Sequence, residues 1–257
     1  MKKNPGVMAI VLVVLISGVL SAQEKNSEQN YTAYELMSKY YSDNFHPFKK
    51  KNIYLGLAFS LEDLQQENTA GLLQNIVDGQ KLQYNILVKS GYYLNNYTAL
   101  GINFSYNYNK FVGQVYRDPD TLQSNSILRS FDFTPNIRPS IPLTQNERLS
   151  FFIELGLGFG YSSALKRNTK NLDEVDKTYT EAFHFRAGIS PGVTFFAIES
   201  FAFEVQLNLI GYDLSLTQKT VNDNPESREV NQKIDANINI LSLQLGLAYY
   251  FGSKKKN

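Results

Sequence analysis

The sequence predicts an all-β protein whose strands close into an antiparallel up-and-down barrel of eight strands, with ten as the alternative count. Three observations lead to this fold class. Eight segments alternate large apolar with small or polar residues, long and short connections alternate between those segments, and an export signal precedes them. Successive side chains of a strand point to opposite faces, so each such segment carries one apolar and one polar face.

The last segment, residues 241–251, shows the alternation most clearly. Six large apolar residues share one face, and Ser242, Gln244, Gly246 and Ala248 lie between them. The other predicted strands cover about residues 53–61, 81–94, 98–110, 126–139, 149–163, 182–196 and 200–213. One strand of this kind also fits a soluble sandwich, but eight of them in an exported chain indicate a transmembrane barrel with an apolar outside and a polar lumen.

The connections predict how the barrel is oriented. Those after the second, fourth and sixth strands are short, at about residues 95–96, 144–147 and 197–200, whereas the others are long and polar. A membrane barrel with both chain ends in the periplasm has short periplasmic turns and long external loops. The first long connection, residues 62–79, holds enough apolar residues to predict a short helix.

The first 22 residues have the organisation of a secretory signal peptide. Lys2 and Lys3 precede an apolar run from Val7 to Leu20, and small residues favour cleavage near Ala22. An uncleaved membrane anchor is the alternative, although the run is shorter than the roughly 20 residues that a spanning helix needs.

Residues 23–51 lack strand alternation and are predicted to form a periplasmic N-terminal segment. Tyr34, Met37, Tyr41 and Phe45, with Tyr40, recur at helical spacing, which predicts a short amphipathic helix that ends near His46-Pro47. This segment could lie in the periplasm, insert into the barrel, or form a partly ordered tether. The barrel is then expected over residues 52–251, and residues 252–257 form a basic tail.

Composition excludes several function classes. Without the signal peptide the chain holds 23 basic and 24 acidic residues, which argues against binding nucleic acid through a basic surface. Cysteine is absent, and with it a disulfide framework and cysteine chemistry. Only two histidines occur, so metal binding is poorly supported and no cofactor is expected. With no Trp, an interfacial aromatic girdle must consist of Tyr and Phe.

The predicted inward faces carry an unusual set of ionisable residues, and these are the candidate site. A charge inside a barrel must be paired and hydrogen-bonded because desolvating it alone is costly. We therefore predict a salt-bridged lumen network that fixes the strand register and plugs the barrel, with Arg138 and Glu154 near neighbours across one hairpin. A gate or a narrow ion path is the alternative. The network comprises Lys89, Asp132, Arg138, Glu154, Arg186, Glu204 and His184.

Catalytic motifs are weak. Gly156, Gly158 and Gly160 alternate within a strand and precede no P-loop lysine, so they do not indicate phosphate binding. A hydrolase needs a nucleophile, a base and an orienting group. His184 lies near Ser162 and Ser190, but it faces the lumen instead of the lipid-facing outer surface. The sequence therefore predicts a protein that is not an enzyme.

The alternation over residues 52–251, the terminal strand and a leader ending Ser21-Ala22-Gln23 give the chain a family resemblance. It resembles the small outer-membrane β-barrel superfamily, in particular the porin-like, OmpA/OmpX-type barrel proteins of Bacteroidota. The resemblance implies Sec export to the outer membrane of a Gram-negative cell, contact with its lipid, and insertion by the barrel-assembly machinery. It identifies no catalytic residue and no extracellular or periplasmic protein partner.

The expected function is surface interaction or envelope structure, carried by the long extracellular loops around a plugged lumen. A narrow porin or solute-uptake channel is the alternative. A lipid-acting enzyme using His184, or a component of secretion machinery, is the remaining option.

Overall fold

The structure is a computed structural model that describes residues 45–69, 75–117, 120–171, 174–222, 224–236 and 244–252. The signal peptide, residues 23–44 with most of the predicted helix, and the basic tail after Gly252 lie outside the described residues, whereas the predicted end of the helix, at residues 45–47, is described and is not helical. Of the N-terminal segment, residues 45–51 are described, and they form turns and a single bridge. Within the described part of the chain, no helix is long and apolar enough to cross a membrane.

Ten β-segments build one antiparallel sheet. They are β1 (Ile53–Thr69), β2 (Asn75–Asn95), β3 (Thr98–Arg117), β4 (Asp120–Pro142), β5 (Leu149–Asn171), β6 (Glu174–Ile198), β7 (Phe201–Gln206), β8 (Ile210–Val221), β9 (Ser227–Ala236) and β10 (Gln244–Phe251).

The sheet closes on itself. Strands β1 to β6 pair in chain order. Strand β6 then pairs with β7 along one part of its length and with β8 along another. Segment β8 pairs with β9, β7 pairs with β10, and β10 pairs with β1, which completes the ring. Segments β7 and β8 share the seventh position of the ring, and β9 and β10 share the eighth. The predicted closed antiparallel barrel of eight strands is confirmed. Closure matters because an unpaired backbone polar group costs several kcal/mol in lipid.

The seventh strand is interrupted, which corrects the prediction of one continuous strand over residues 200–213. Gly192 pairs with Gln206, but Ile189 pairs with Ile210, so residues 207–209 oppose only Ser190 and Pro191. The extra residue is a β-bulge, and it reverses which residues face the lumen beyond it. Pro191 contributes because it has no N–H to donate, although its carbonyl accepts from the Leu207 N–H at 2.9 Å.

The long connections are mostly strand. The predicted loop over residues 62–79, with its short helix, is wrong for the described residues: β1 continues to Thr69, and β2 begins at Asn75. Likewise β3 ends at Arg117 and β4 begins at Asp120. Beyond the apolar belt these ribbons carry polar and apolar residues on both faces, so the regular alternation that marks a strand is lost from the sequence although the pairing continues.

The two faces of the wall differ as predicted. Along β1 the outward residues Ile53, Leu55, Leu57, Phe59 and Leu61 are 45–61% exposed, whereas Tyr54 between them is fully buried. The same arrangement recurs around the ring and leaves a continuous outer belt of exposed apolar side chains. Such a large exposed apolar surface is typical of a membrane-facing barrel.

The apolar core lies inside the barrel at the end of the short turns. Phe45 and Phe48, which precede β1, are almost completely buried there. The Phe45 and Phe196 ring centroids lie 4.9 Å apart, and those of Phe48 and Tyr250 lie 5.8 Å apart. We call this cluster the aromatic plug; it comprises Phe45, Phe48, Tyr54, Tyr93, Ala99, Phe196, Ala202, Ala248 and Tyr250.

Candidate functional site

Polar contacts hold residues 45–51 against the base of the barrel. The Asn52 side-chain amide donates to the carbonyls of His46 at 2.9 Å and Pro47 at 3.0 Å. His46 Nδ1 lies 3.3 Å from Glu147 Oε1 in the turn between β4 and β5. The hydroxyl of Tyr97, in the turn between β2 and β3, donates to the same oxygen at 2.9 Å. Its hydrogen bond to the carboxylate is the main reason that the pKa of Tyr97 is raised.

A buried arginine crosses the lumen beside the plug. Arg138 of β4 is fully buried, and its guanidinium donates to both carboxylate oxygens of Glu204 on β7, at 2.5 and 3.1 Å. The same group donates to Thr194 at 3.0 Å and to Tyr250 at 3.2 Å. Its central carbon lies 3.7 Å from the ring centroid of Phe152. A bidentate, charge-assisted pair of this kind is among the stronger polar contacts in proteins.

A second buried pair lies next to the first. Lys89 Nζ lies 3.8 Å from Glu154 Oε2 and donates to the side-chain oxygen of Gln206. The amide of Asn103 donates to the other Glu154 oxygen at 2.6 Å. These side chains are all more than nine-tenths buried, so the Lys89–Glu154 pair closes the cross-section together with the Arg138–Glu204 pair.

The register brings Arg138 and Glu154 opposite each other, but they do not form the ion pair. Ile137 pairs with Leu155, which places the next residues, Arg138 and Glu154, across from one another on the lumen side. Arg138 instead reaches Glu204, and Glu154 reaches Lys89. Both pairs therefore connect strands that are not neighbours, through the lumen. The positions of Arg138 and Glu154 in one hairpin could not predict these partners.

The remaining predicted residues lie nearer the long hairpins. Arg186 donates to both oxygens of Asp213 at 3.1 and 3.2 Å, and Asp132 accepts from the Ser105 hydroxyl at 3.1 Å. Sequence reasoning missed Asp213 because the bulge at residues 207–209 turns it inward. The sequence did contain a sign of this bulge. The apolar residues of this strand have odd numbers up to Leu209, whereas Tyr212, Leu214 and Leu216 have even numbers.

His184 is not arranged as a catalytic base. Its Nε2 lies 2.9 Å from the Ser162 hydroxyl, but Ser190 instead donates to Asn208 at 2.9 Å. Among the described residues, no carboxylate lies within ion-pair distance of His184, and no group of three His, Cys, Asp or Glu could hold a metal ion. The His184–Ser162 contact therefore lacks an orienting acid of the kind that a hydrolase triad requires.

Comparison with known proteins finds similar solved structures only. No protein-family model and no curated protein matches the chain. The chain resembles small outer-membrane β-barrel proteins. The attachment invasion locus protein Ail of Yersinia pestis is 14% identical, with 79% of this chain and 99% of that chain covered and a TM-score of 0.33.

Two further solved structures are similar to the same degree. A major outer membrane protein of Thermus thermophilus is 10% identical over 78% of this chain and 99% of that chain, with a TM-score of 0.35. The outer membrane protein AlkL in lipid bilayers is 15% identical over 90% and 99%, with a TM-score of 0.32.

A polar cup occupies the lumen on the long-hairpin side of the two buried pairs. The cavity measures about 390 Å³, and its lining extends from Lys89 and Glu154 to Asn107 and Asp132. Most other lining residues are amides, hydroxyls or glycines. The arrangement provides a polar pocket that the two buried pairs close at its short-turn end.

Proposed function

We propose that this chain is an outer-membrane β-barrel protein that acts in surface interaction or envelope structure and not as an open pore or an enzyme. Its short turns lie in the periplasm, and its long hairpins face outward. Support comes from the belt of exposed apolar side chains around a closed sheet, because only closed barrels and helices satisfy their backbone in lipid. Strands of at least 9–11 residues can cross the membrane.

The observation that carries the non-conducting role is the filled cross-section at the short-turn end. The Arg138–Glu204 pair and the aromatic plug occupy it with side chains that are almost completely buried. Eight-stranded barrels have an interior that side chains can fill. Moving Arg138 aside would separate a buried charge from its partner, a change that costs about 3–5 kcal/mol. The Arg138–Glu204 pair therefore closes the lumen permanently, together with the aromatic plug, and does not act as a readily opened gate.

Export and origin form the second part of the proposal. The leader of residues 1–22 directs Sec export, and cleavage leaves Gln23 as the first residue. Amino-terminal sequencing of the protein from isolated outer membranes tests this, and an unprocessed Met1 would contradict it. The assignment to Bacteroidota stays a prediction from the form of the leader.

Single-channel recording in planar lipid bilayers tests the function. The wild-type barrel should show no steady ionic current, whereas Phe48→Ala combined with Arg138→Ala and Glu204→Ala should conduct. Lys170→Ala is the matched control because Lys170 pairs with Asp120 on an outer hairpin, far from the plug. A steady wild-type current of the same size as that of the triple variant would refute the closed lumen.

A narrow solute-uptake channel is the second candidate. The polar cup of about 390 Å³ favours it, because pockets that hold small ligands begin near this size. Uptake would require the Lys89–Glu154 pair to part as solute passes. Current through the wild-type barrel that is blocked by a solute would support uptake over the interaction role.

A further inference from the structure

Four basic side chains lie on the outward face, just beyond the apolar belt, on four neighbouring strands. We call this set the basic edge; its members are Lys110 on β3, Arg129 on β4, Arg167 on β5 and Lys177 on β6, and all four are exposed. Each lies two residues along its strand from an outward apolar or aromatic residue, namely Tyr108, Phe131, Leu165 and Tyr179. Residues two apart share a face, so the four cations point away from the lumen.

The register arranges these cations in two neighbouring pairs. Arg167 and Lys177 are direct partners across β5 and β6. Lys110 pairs with Ile127, so Arg129 is its diagonal neighbour across β3 and β4. Direct partners have Cβ atoms about 4.5–5.5 Å apart, and like charges directly opposite each other are destabilising. An anion bound between Arg167 and Lys177 would relieve this repulsion.

The described part of the chain supplies no such anion. None of its ion pairs includes a member of the basic edge, although other basic residues do have carboxylate partners. Lys170 lies 2.6 Å from Asp120, and Arg228 lies 3.9 Å from Glu226. Among the described residues, the four members of the basic edge thus share the lack of a carboxylate within ion-pair distance.

The opposite side of the barrel has the reverse charge. At the same outer edge, β1 and β2 carry the exposed outward residues Asp63, Glu67 and Asp78. The outer edge of β3–β6 also carries one outward carboxylate, Glu181, which accepts hydrogen bonds from the Tyr161 and Tyr179 hydroxyls. Four cations against one carboxylate leave this face net positive, so an anionic ligand is attracted to β3–β6 and repelled from β1–β2.

Aromatic neighbours fix the depth of the basic edge. Tyr108 and Tyr179 lie directly below Lys110 and Lys177, and the Arg129 guanidinium carbon is 6.0 Å from the Tyr108 ring centroid. Tyrosines at this position mark the membrane–water interface of outer-membrane barrels. The cations therefore lie at headgroup level, where a phosphate can accept short charge-assisted hydrogen bonds.

We propose that the basic edge binds the phosphate groups of lipid A, the phosphorylated glycolipid of the outer leaflet. The proposal rests on the proposed location and orientation, because the long-hairpin end must face that leaflet. The ligand has to combine hydrocarbon, which contacts the belt, with an anionic headgroup, which contacts the cations. A phosphorylated lipid has both properties, whereas a soluble anion has only the second.

Native mass spectrometry of the purified full chain in neutral detergent tests the proposal. The probes are bis-phosphorylated lipid A, the same lipid A after removal of both phosphates, and phosphatidylglycerol. The double variant Arg167→Gln with Lys177→Gln should bind bis-phosphorylated lipid A about tenfold more weakly than wild type, since each basic residue near an anionic surface contributes appreciably. Arg228→Gln, an outward basic residue already paired with Glu226, should leave binding unchanged.

The outcomes separate this proposal from the proposed function. Equal binding by wild type and the double variant, or equal binding of dephosphorylated lipid A, would overturn the basic edge as a phosphate site. Binding of phosphatidylglycerol as tight as that of lipid A would overturn lipid A as its occupant. Each protein is also run unheated and boiled on an SDS gel, because loss of the heat-dependent shift in wild type would instead refute the membrane barrel.

Discussion

Asp213 pairs with Arg186 on the neighbouring strand, on the lumen side, because three residues of the seventh strand oppose two of the sixth. Without the bulge, Asp213 would face the membrane, and Arg186 would lose the carboxylate that neutralises it. The pair is partly exposed, with about two-fifths of the Arg186 side chain accessible to solvent, whereas the Arg138–Glu204 pair is buried. Two salt bridges in one lumen should therefore differ greatly in their contribution to stability.

Glu204→Ala should destabilise the barrel strongly, because it leaves Arg138 buried without its carboxylate. We expect the free energy of unfolding to fall by about 3–5 kcal/mol. Asp213→Ala is the matched control and should cost at most about 1 kcal/mol, as exposed pairs do. Urea unfolding in lipid vesicles measures both, and equal losses would contradict the difference in burial.

Glu154→Ala should lower the unfolding temperature. Lys89 would keep the side-chain oxygen of Gln206 as its partner but lose its only described carboxylate, and Asn103 would lose an acceptor. Removing one partner of a buried charge pair leaves the other uncompensated. Replacing Glu62, whose pairing with Lys81 lies on an exposed ribbon, provides the control. An unchanged melting point for Glu154→Ala would show that this pair does not stabilise the lumen.

Phe48→Ala should loosen the base of the barrel. Truncating a fully buried aromatic residue typically costs about 3–5 kcal/mol. Phe59→Ala removes the same side chain from the outer belt, where it is 60% exposed to the surroundings, and should not affect the attachment of residues 45–51. Limited proteolysis that cleaves before β1 in Phe48→Ala but not in Phe59→Ala is the expected pattern. Equal protection of both variants would exclude Phe48 as the anchor.

Tyr97 should titrate above its ordinary pKa of 10.0 because its hydroxyl donates to Glu147. Since the folded-state pKa is the higher one, this hydrogen bond contributes its full stability below about pH 10. The contribution is lost as the pH rises through the raised value and the phenolate forms beside the carboxylate. The difference in phenolate absorbance between wild type and Tyr97→Phe isolates this group. Glu147→Gln should return its pKa towards 10.0.

Strand alternation was sufficient to predict the closed barrel, because lipid outside and polar side chains inside impose a period of two on residues such as Leu55 and Tyr54. The same rule failed where that constraint ends. The hairpin ribbons, from Glu62 outward, have no lipid on one face, so polar and apolar residues mix there and the period of two is lost. The bulge was missed because a one-residue insertion leaves each flanking alternation intact.

The candidate site was predictable in its members but not in its pairing. Sequence position shows that Arg138 and Glu154 face inward, since both alternate with outward apolar residues. It cannot show that Arg138 extends to β7 while Glu154 extends to β2, because those contacts depend on how the ring closes. Asp213 depended in addition on the missed bulge.

The aromatic plug joins the two ends of the chain, since Phe45 and Phe48 come from before the first strand and Tyr250 from the last. An assembling chain that has laid down only its early strands lacks Tyr250 and cannot complete this packing. The plug is therefore complete only once the last strand has joined the first. A chain without that strand would lack the Tyr250 ring against which Phe48 packs, so a sealed base is a property of the finished ring alone.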